Sequence, residues 1–273
     1  MPPSTLARAL GAGLCTPDAA RAVAQAAAHA APALAASDEA RTHFDMEEIG
    51  AQLADVADAW INFDEHITDE GLRAPAAEAV RALLGMLRNA VYANEANQLT
   101  LLRYWDAIAA LLTYLVRFER MNDPLLIPVV RVAAQLLANA FGGCAAMRHA
   151  LWRRHVYSAD APPLDTVTRL AASADTRTSL AALACLVHAV HARDATDYGA
   201  ELVHLDPGHA ILDVALTAYD TDEEVVLDVV VGAVRPLFER GHAAALLRTP
   251  QQPSVLRVIA DALQERVEEV RSG

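Results

Sequence analysis

The stretch "LLGMLRNAVYANEANQLTLL", Leu83 to Leu102, decides how the rest of this sequence is interpreted. It begins as an apolar helix, and the pair Arg88-Asn89 then interrupts the apolar run. Two more asparagines and a glutamine follow before the leucines resume. Amide side chains in a helical core need hydrogen-bond partners, which are most often nearby backbone groups. The pattern therefore indicates one unit of a stacked helical repeat, in which neighbouring helices supply the hydrogen-bond partners of these amides.

A second copy of the pattern supports this interpretation. "MLRNAVYANEANQLTLLRYW" and "LLANAFGGCAAMRHALWRRH" share Leu-x-Asn-Ala, then a break, then an apolar helix with Trp beside Arg. The two asparagines, Asn89 and Asn139, are 50 residues apart in the sequence. Weaker copies have other residues at this position, His188 and Gly232. A period of roughly 45–50 residues lies just above the HEAT and armadillo range, where stacked units bury one another's apolar faces.

The rest of the chain also favours helices. Its apolar fraction is 54%, dominated by alanine, and only 5% of the residues are aromatic. The valine-rich Glu223–Phe238 would suit a buried strand, but no second strand is available to pair with it. The predicted helices are Pro17–His29, Asp38–Phe63, Ala74–Ala93, Asn97–Met121, Leu125–Phe141, Ala145–Val156, Leu164–Ala174, Arg177–Ala192, His209–Ala218, Glu223–Phe238 and Ser254–Val270.

These helices predict an all-α fold, an armadillo/HEAT-like α-solenoid in which stacked helical repeats form a right-handed superhelix. We expect a single repeat domain over residues 1–273, with an Ala-rich helical segment at 1–36 and stacked repeats over 37–272. Three tryptophans lie near the ends of apolar helices and are predicted to belong to the core: Trp60, Trp105 and Trp152.

The charge distribution bears on partners. The net charge of −13 argues against nucleic-acid binding, which needs a basic face. Residues 103–154 nevertheless carry a net charge of +4, between segments of −8 and −9. One interpretation pairs these arginines with acids of adjacent helices. The other is a basic patch that binds an acidic segment of a partner protein, with a neighbouring copy of the same chain as one candidate.

The predicted partner-binding face follows from the second interpretation. Equivalent positions of successive repeats stack along a solenoid, so the basic and amide side chains should share one face. The asparagines would either hydrogen-bond a partner's extended backbone or hold a local loop, and the sequence leaves both roles open. The predicted residues are Asn89, Asn139, Arg131, Arg148, Arg153 and Arg154.

The sequence contains no motif that indicates an enzymatic function. There is no G-x-S-x-G, H-E-x-x-H, G-x-G-x-x-G or P-loop motif, and all 22 basic residues are arginine, so no catalytic lysine exists. We predict no cofactor. An alternative function is the handling of a metal such as copper by Cys185, His188 and His191, which lie three residues apart on one predicted helix. An odd number of cysteines and the lack of a long apolar run favour a cytoplasmic protein without a membrane segment.

The order of motifs resembles a known family. A Leu-Arg-Asn-Ala helix, a link with Asn-Gln, an apolar helix, Arg-x-x-x-Gln-Leu-x-x-Asn and a closing Trp are similar to the armadillo-like region of ataxin-10 and of its fungal relatives, named copper transport protein 86. The residues that carry the resemblance are Leu87, Arg88, Asn89, Ala90, Asn97, Gln98, Arg131, Gln135, Leu136, Asn139 and Trp152.

The resemblance implies a cytoplasmic, non-enzymatic scaffold linked to cell division and, in animals, to neuronal maintenance. It covers about a quarter of the chain, in its N-terminal and central part. The family also carries a "GGIP" turn and a helix near its C-terminus, and this sequence lacks that segment. We therefore expect either a truncated chain or a shortened relative.

Overall fold

The computed structural model describes residues 9, 14, 16–67, 69–156, 166–204, 224–246, 255–260 and 264. The described residues form helices and connecting turns, with no β-strand among them, and residues 255–260 are also helical. The helices are α1 (Pro17–Ala36), α2 (Asp38–Thr42), α3 (Met46–His66), α4 (Glu70–Val91), α5 (Glu95–Arg103), α6 (Trp105–Leu115), α7 (Phe118–Met121), α8 (Ile127–Phe141), α9 (Ala145–His155), α10 (Thr166–Ala171), α11 (Thr176–His191), α12 (Tyr198–His204), α13 (Glu224–Glu239) and α14 (Ala243–Leu246).

Side-chain caps fix where several helices begin. Thr16 accepts a hydrogen bond from the backbone N–H of Ala19, and Pro17 occupies the first turn of α1. Asp45 caps α3 and Asp175 caps α11 in the same way. Asn94, one of the amides in the opening stretch, is the N-cap of α5, and its Oδ1 lies 2.9 Å from the amide nitrogen of Asn97. These side chains satisfy donors that the first helical turn leaves unpaired.

The chain divides into two compact units, Met1–Leu151 and Trp152–Gly273. In the first unit, α4 packs between α1 and α8, and α3 packs against α5 and α6. In the second unit, α11 packs against α10 and α13, and α12 packs against α13 and α14. The predicted core role of the tryptophans is confirmed, since Trp60, Trp105 and Trp152 are each at most 3% exposed.

A buried ion network joins four helices of the first unit. Asp64 of α3 accepts hydrogen bonds from Arg73 of α4 at 2.8 Å and from the Tyr114 hydroxyl of α6 at 2.6 Å. Arg120 of α7 lies 3.1 Å from the same carboxylate, and Arg73 also bonds Asp123. Hydrogen bonding to Asp64 raises the pKa of Arg73 above its usual value, so the guanidinium stays charged. The network fixes the ends of α3 and α6 against the start of α4.

The helical class of the fold is confirmed. The valine-rich segment Glu223–Phe238 was predicted to be a helix, and its described part belongs to α13, Glu224–Glu239. Two of the predicted helices are not continuous in the structure. Asp38–Phe63 is divided into α2 and α3, and Asn97–Met121 into α5, α6 and α7. The predicted helix His209–Ala218 lies outside the described residues, and Ser254–Val270 is described only at 255–260 and 264.

The break between α5 and α6 has a packing cause. Tyr104 leaves the helical conformation at φ −107° and ψ 10°. Its ring lies directly against Gly50 of α3, where a Cβ atom would come within 2.2 Å of the ring. Its hydroxyl also donates to the carboxylate of Glu47. The chain therefore turns at Tyr104 because the aromatic ring fills a site on another helix, which local sequence does not reveal.

Candidate partner-binding face

The two predicted asparagines occupy equivalent positions on neighbouring long helices. Asn89 of α4 donates from Nδ2 to the backbone oxygen of Ala31 in α1 at 3.0 Å. Asn139 of α8 donates from Nδ2 to the backbone oxygen of Arg88 in α4 at 3.2 Å. Each amide thus joins its helix to the helix packed beside it, α1 for Asn89 and α4 for Asn139. Both acceptors are backbone groups of helices, whereas the structural role expected from the sequence was to hold a local loop.

Arg88 and Gln135 join the asparagines in one polar cluster. Arg88 donates from Nε to Oδ1 of Asn89 at 3.1 Å and from a terminal nitrogen to Oε1 of Gln135. All four side chains are partly exposed. We refer to Arg88, Asn89, Gln135 and Asn139 as the amide cluster. Burial lowers the pKa of Arg88 below its usual value.

Neither Arg88 nor Gln135 was predicted to belong to the binding face. The available signal was their spacing, because Arg88 adjoins Asn89 and Gln135 precedes Asn139 by one helical turn. Both residues also belong to the motif that carries the family resemblance.

The remaining amides of the opening stretch are buried at helix ends. Asn97 donates to the backbone oxygens of Ala90 and Arg41, at 2.9 and 2.8 Å. Gln98 donates to the oxygen of Val91 and accepts from the N–H of Cys144, both at 2.8 Å. Carbonyls in the last turn of a helix lack intrahelical partners, and these amides supply them. The opening stretch is therefore rich in amides because it ends one helix and begins the next.

Arg148 lies in the interior, although it was predicted to belong to the binding face. It is 9% exposed and donates to the backbone oxygens of Phe141 and Gly143, at 2.7 and 2.8 Å. Its partner Phe141 is seven residues earlier, the same spacing that Gln98 has to Val91 and Arg41 has to Leu34. These three side chains repeat one capping role in the first unit.

Of the other predicted arginines, Arg131 lies on α8, and Arg153 and Arg154 lie on α9. All three are partly exposed. Arg153 belongs to the second unit, where it forms a two-point ion pair with Glu201 at 2.7 and 3.1 Å. The indole N–H of Trp152 donates to the same carboxylate at 2.6 Å. Arg153 is thus held within its unit by α12.

Several arginines of the basic stretch are paired with acids of the N-terminal acidic segment. Arg103 binds the carboxylate of Glu47, Arg117 lies 2.6 Å from Glu65, and Arg120 lies 3.1 Å from Asp64. These contacts favour the first interpretation of the charge pattern, in which the fold pairs its own charges. A binding face must therefore be sought at a cation that lacks an acidic partner.

The residues of the alternative metal site lie in different environments. Cys185 is fully buried, and burial raises the pKa of its thiol well above the usual range. His188 and His191 are exposed on the same helix, and Nε2 of His191 lies 2.9 Å from the backbone oxygen of Gly232. Across the described residues, no group of three or more His, Cys, Asp or Glu side chains is arranged to hold a metal ion. The metal interpretation stays an untested alternative.

Comparison with protein families and with curated proteins gives no match. A similar fold occurs in a solved structure of an engineered protein. The crystal structure of the engineered protein that is Northeast Structural Genomics Consortium target OR366 is 16% identical, covers 99% of this chain and 100% of its own, and has a TM-score of 0.58. Target OR497 of the same consortium, also engineered, is 16% identical over 95% of this chain and 78% of its own, with a TM-score of 0.42.

The likeness to target OR366 concerns the helical fold alone. Within the described part of the chain, no helix combines the length and apolar character needed to cross a bilayer.

Proposed function

We propose that this chain is an armadillo-like α-solenoid, a right-handed superhelix that binds partner proteins as a non-enzymatic cytoplasmic scaffold. The observation that carries the proposal is the repeated amide contact of Asn89 and Asn139. Asn89 joins α4 to α1 and Asn139 joins α8 to α4, and the two asparagines lie one predicted repeat apart. Such a regular contact is expected of units that stack on identical neighbours.

The order of helices in the first unit supports the same proposal. Two runs of helices lead to α4 and α8: α2 and α3 precede α4, and α5, α6 and the single turn of α7 precede α8. The helices α1, α4 and α8 pack side by side in chain order. In a solenoid of this kind, the row of last helices forms the extended surface on which partners bind. The amide cluster belongs to this row.

The family resemblance to ataxin-10 gives the proposal its biological direction. It suggests a scaffold that takes part in cell division and holds partner proteins in the cytoplasm. A homo-oligomer is compatible with this function, since a second copy of the chain would also be a protein partner. The proposal assigns no cofactor and no catalytic residue.

Site-directed photo-crosslinking tests the function. A photoreactive amino acid replaces Val132, which is partly exposed on α8 beside the amide cluster, in cells that naturally express the protein. The matched control places the same group at Ala54, which is exposed on α3. We expect the Val132 position to crosslink one or a few defined proteins and the Ala54 position not to. Equal crosslinking from both positions, or none from Val132, would contradict the scaffold function.

A further inference from the structure

Arg88 is a cation whose charge its surroundings leave uncompensated. Its hydrogen-bond partners are the neutral amides of Asn89 and Gln135, and no carboxylate of the described residues pairs with it. A guanidinium has five N–H donors, and Arg88 uses two of them in these bonds. Its pKa is lowered by burial, as expected where no negative charge offsets the loss of water.

Arg81 lies on the same helix as Arg88, but an acidic side chain neutralises its charge. It lies two turns before Arg88 on α4 and is also partly exposed. Its guanidinium forms two hydrogen bonds with Glu78, at 2.7 and 2.6 Å. The pKa of Arg81 is raised by this bond, opposite in direction to that of Arg88. The two arginines therefore differ in their counter-ion although they share a helix.

Arg88 is partly exposed, and the amide cluster keeps an unused acceptor beside it. Oδ1 of Asn139 has no hydrogen-bond partner among the described residues and is available to accept one. A partly buried charge without a counter-ion disfavours folding, whereas a bound anion removes that cost.

We propose that Arg88 binds a carboxylate on an acidic segment of a partner protein, with Asn139 and Gln135 contacting the segment beside it. The proposal rests on the proposed scaffold function and names the chemistry of its partner. A carboxylate matches the single uncompensated charge and can accept two parallel N–H bonds from one guanidinium. A phosphate dianion would call for a second cation. The neutral amides suit the N–H and C=O groups of an extended peptide backbone.

Selection of peptides on the folded protein tests this assignment. A display library of random 12-residue peptides is selected on the wild type, on Arg88→Met and on Arg81→Met as the matched control. We expect wild type and Arg81→Met to enrich the same peptides with Asp or Glu at one position. Arg88→Met should lose this preference and bind the enriched peptides about 10- to 100-fold more weakly, as for a lost hydrogen bond between charged groups.

A second variant and a stability measurement separate binding from folding. Arg88→Lys keeps the charge but not the planar pair of donors, so it should retain the acidic preference at reduced affinity. Arg88→Met should melt at or above the wild-type temperature, because it removes a desolvated charge. A melting temperature lower by several degrees, with peptide binding unchanged in the folded fraction, would show that Arg88 is structural and overturn the assignment.

The remaining outcomes distinguish the two proposals. If no peptide is enriched on the wild type, the scaffold function fails, and the carboxylate site fails with it. If peptides are enriched without an acidic preference, or with one that survives in Arg88→Met, only the carboxylate site is wrong. Displacement of the enriched peptides by inorganic phosphate, but not by glutarate at equal ionic strength, would likewise overturn the carboxylate in favour of a phosphate group.

Discussion

Single buried polar side chains hold the ends of the long helices in the first unit. Arg41, Gln98 and Arg148 each donate to a carbonyl seven residues earlier, at the end of the preceding long helix. A terminal carbonyl that loses its donor inside the protein carries the full cost of its lost hydration. The residues differ in chemistry, but each reaches back across the turn between two helices.

Replacing Arg148 with Met should destabilise the protein without any change at a binding face. Two buried contacts, to the carbonyls of Phe141 and Gly143, would be lost, at a cost of about 2–3 kcal/mol in the free energy of unfolding. The control is Arg103→Met, whose exposed pair with Glu47 should contribute less than about 1 kcal/mol. Urea unfolding followed by circular dichroism measures both. Equal, small effects would show that Arg148 does not cap α8.

His155 should make the protein sensitive to acid. It is fully buried beside Thr166, and burial, with a smaller effect of the Arg154 charge, lowers its pKa from 6.5 to about 3. A lowered pKa means that the unfolded chain binds the proton more readily than the folded one. The stabilisation is therefore complete above about pH 6.5 and is lost as the pH falls towards 3, with a slope of up to about 1.4 kcal/mol per pH unit.

The variant His155→Gln isolates this effect from the carboxylates that titrate in the same range. The difference in unfolding free energy between wild type and variant should be constant above about pH 6.5 and should shift in favour of the variant at lower pH. Urea unfolding at a series of pH values gives this difference. A difference that does not depend on pH would contradict the buried, neutral histidine.

At the scale of helices, the sequence predicts where apolar periodicity begins but not where packing interrupts it. The Asn97–Met121 periodicity continues through Tyr104, so a single helix was expected. The break arises because the Tyr104 ring packs against Gly50, more than fifty residues away in the chain. The capping residues Thr16 and Asn94, by contrast, act within three residues of their partners. Local chemistry of this kind is visible in the sequence, whereas long-range packing is not.

Replacing Gly143 or Gly85 with alanine should change the stability of the protein in opposite directions. Gly143 lies four residues after Asn139, and Gly85 lies four residues before Asn89. At Gly143, which follows α8, a Cβ atom would lie 2.7 Å from Gln98 and 2.8 Å from the backbone oxygen of Ala140. At Gly85, inside α4, the nearest atom would be Val132 at 3.8 Å, an ordinary contact.

Gly143→Ala should therefore lower the free energy of unfolding by about 1–3 kcal/mol, because backbone at the end of α8 cannot move aside cheaply. Gly85→Ala should raise it by about 0.5–1 kcal/mol through helix propensity. Thermal unfolding of the two variants checks the signs. A destabilised Gly85→Ala, or a neutral Gly143→Ala, would show that α4 and α8 pack differently at these points.

At the scale of the whole molecule, the sequence predicted the helical class and brought two of the site residues, Asn89 and Asn139, into one pattern. It could not tell an arginine that caps a helix from one without an acidic partner. Arg148 and Arg88 look alike in the sequence, since each stands near a break between predicted helices, and only the hydrogen-bond partners separate them. Arg88 differs because its partners are neutral. These partners come from two helices, Asn89 from α4 and Gln135 from α8, so the sequence around Arg88 does not reveal that it lacks a counter-ion.

The same distinction governs the charge of the chain as a whole. The basic stretch 103–154 would form a cationic surface only if its arginines were unpaired. Instead Arg103 and Arg117 bind Glu47 and Glu65, which come from the acidic segment before them.

We therefore expect the wild type to pass through immobilised heparin unretained at about 50 mM salt and to leave duplex DNA unshifted, because polyanion binding needs several free cations. The Glu47→Gln/Glu65→Gln variant frees both arginines and should elute later than the wild type. Salt-dependent retention of the wild type itself would show that the arginines form an open basic patch after all.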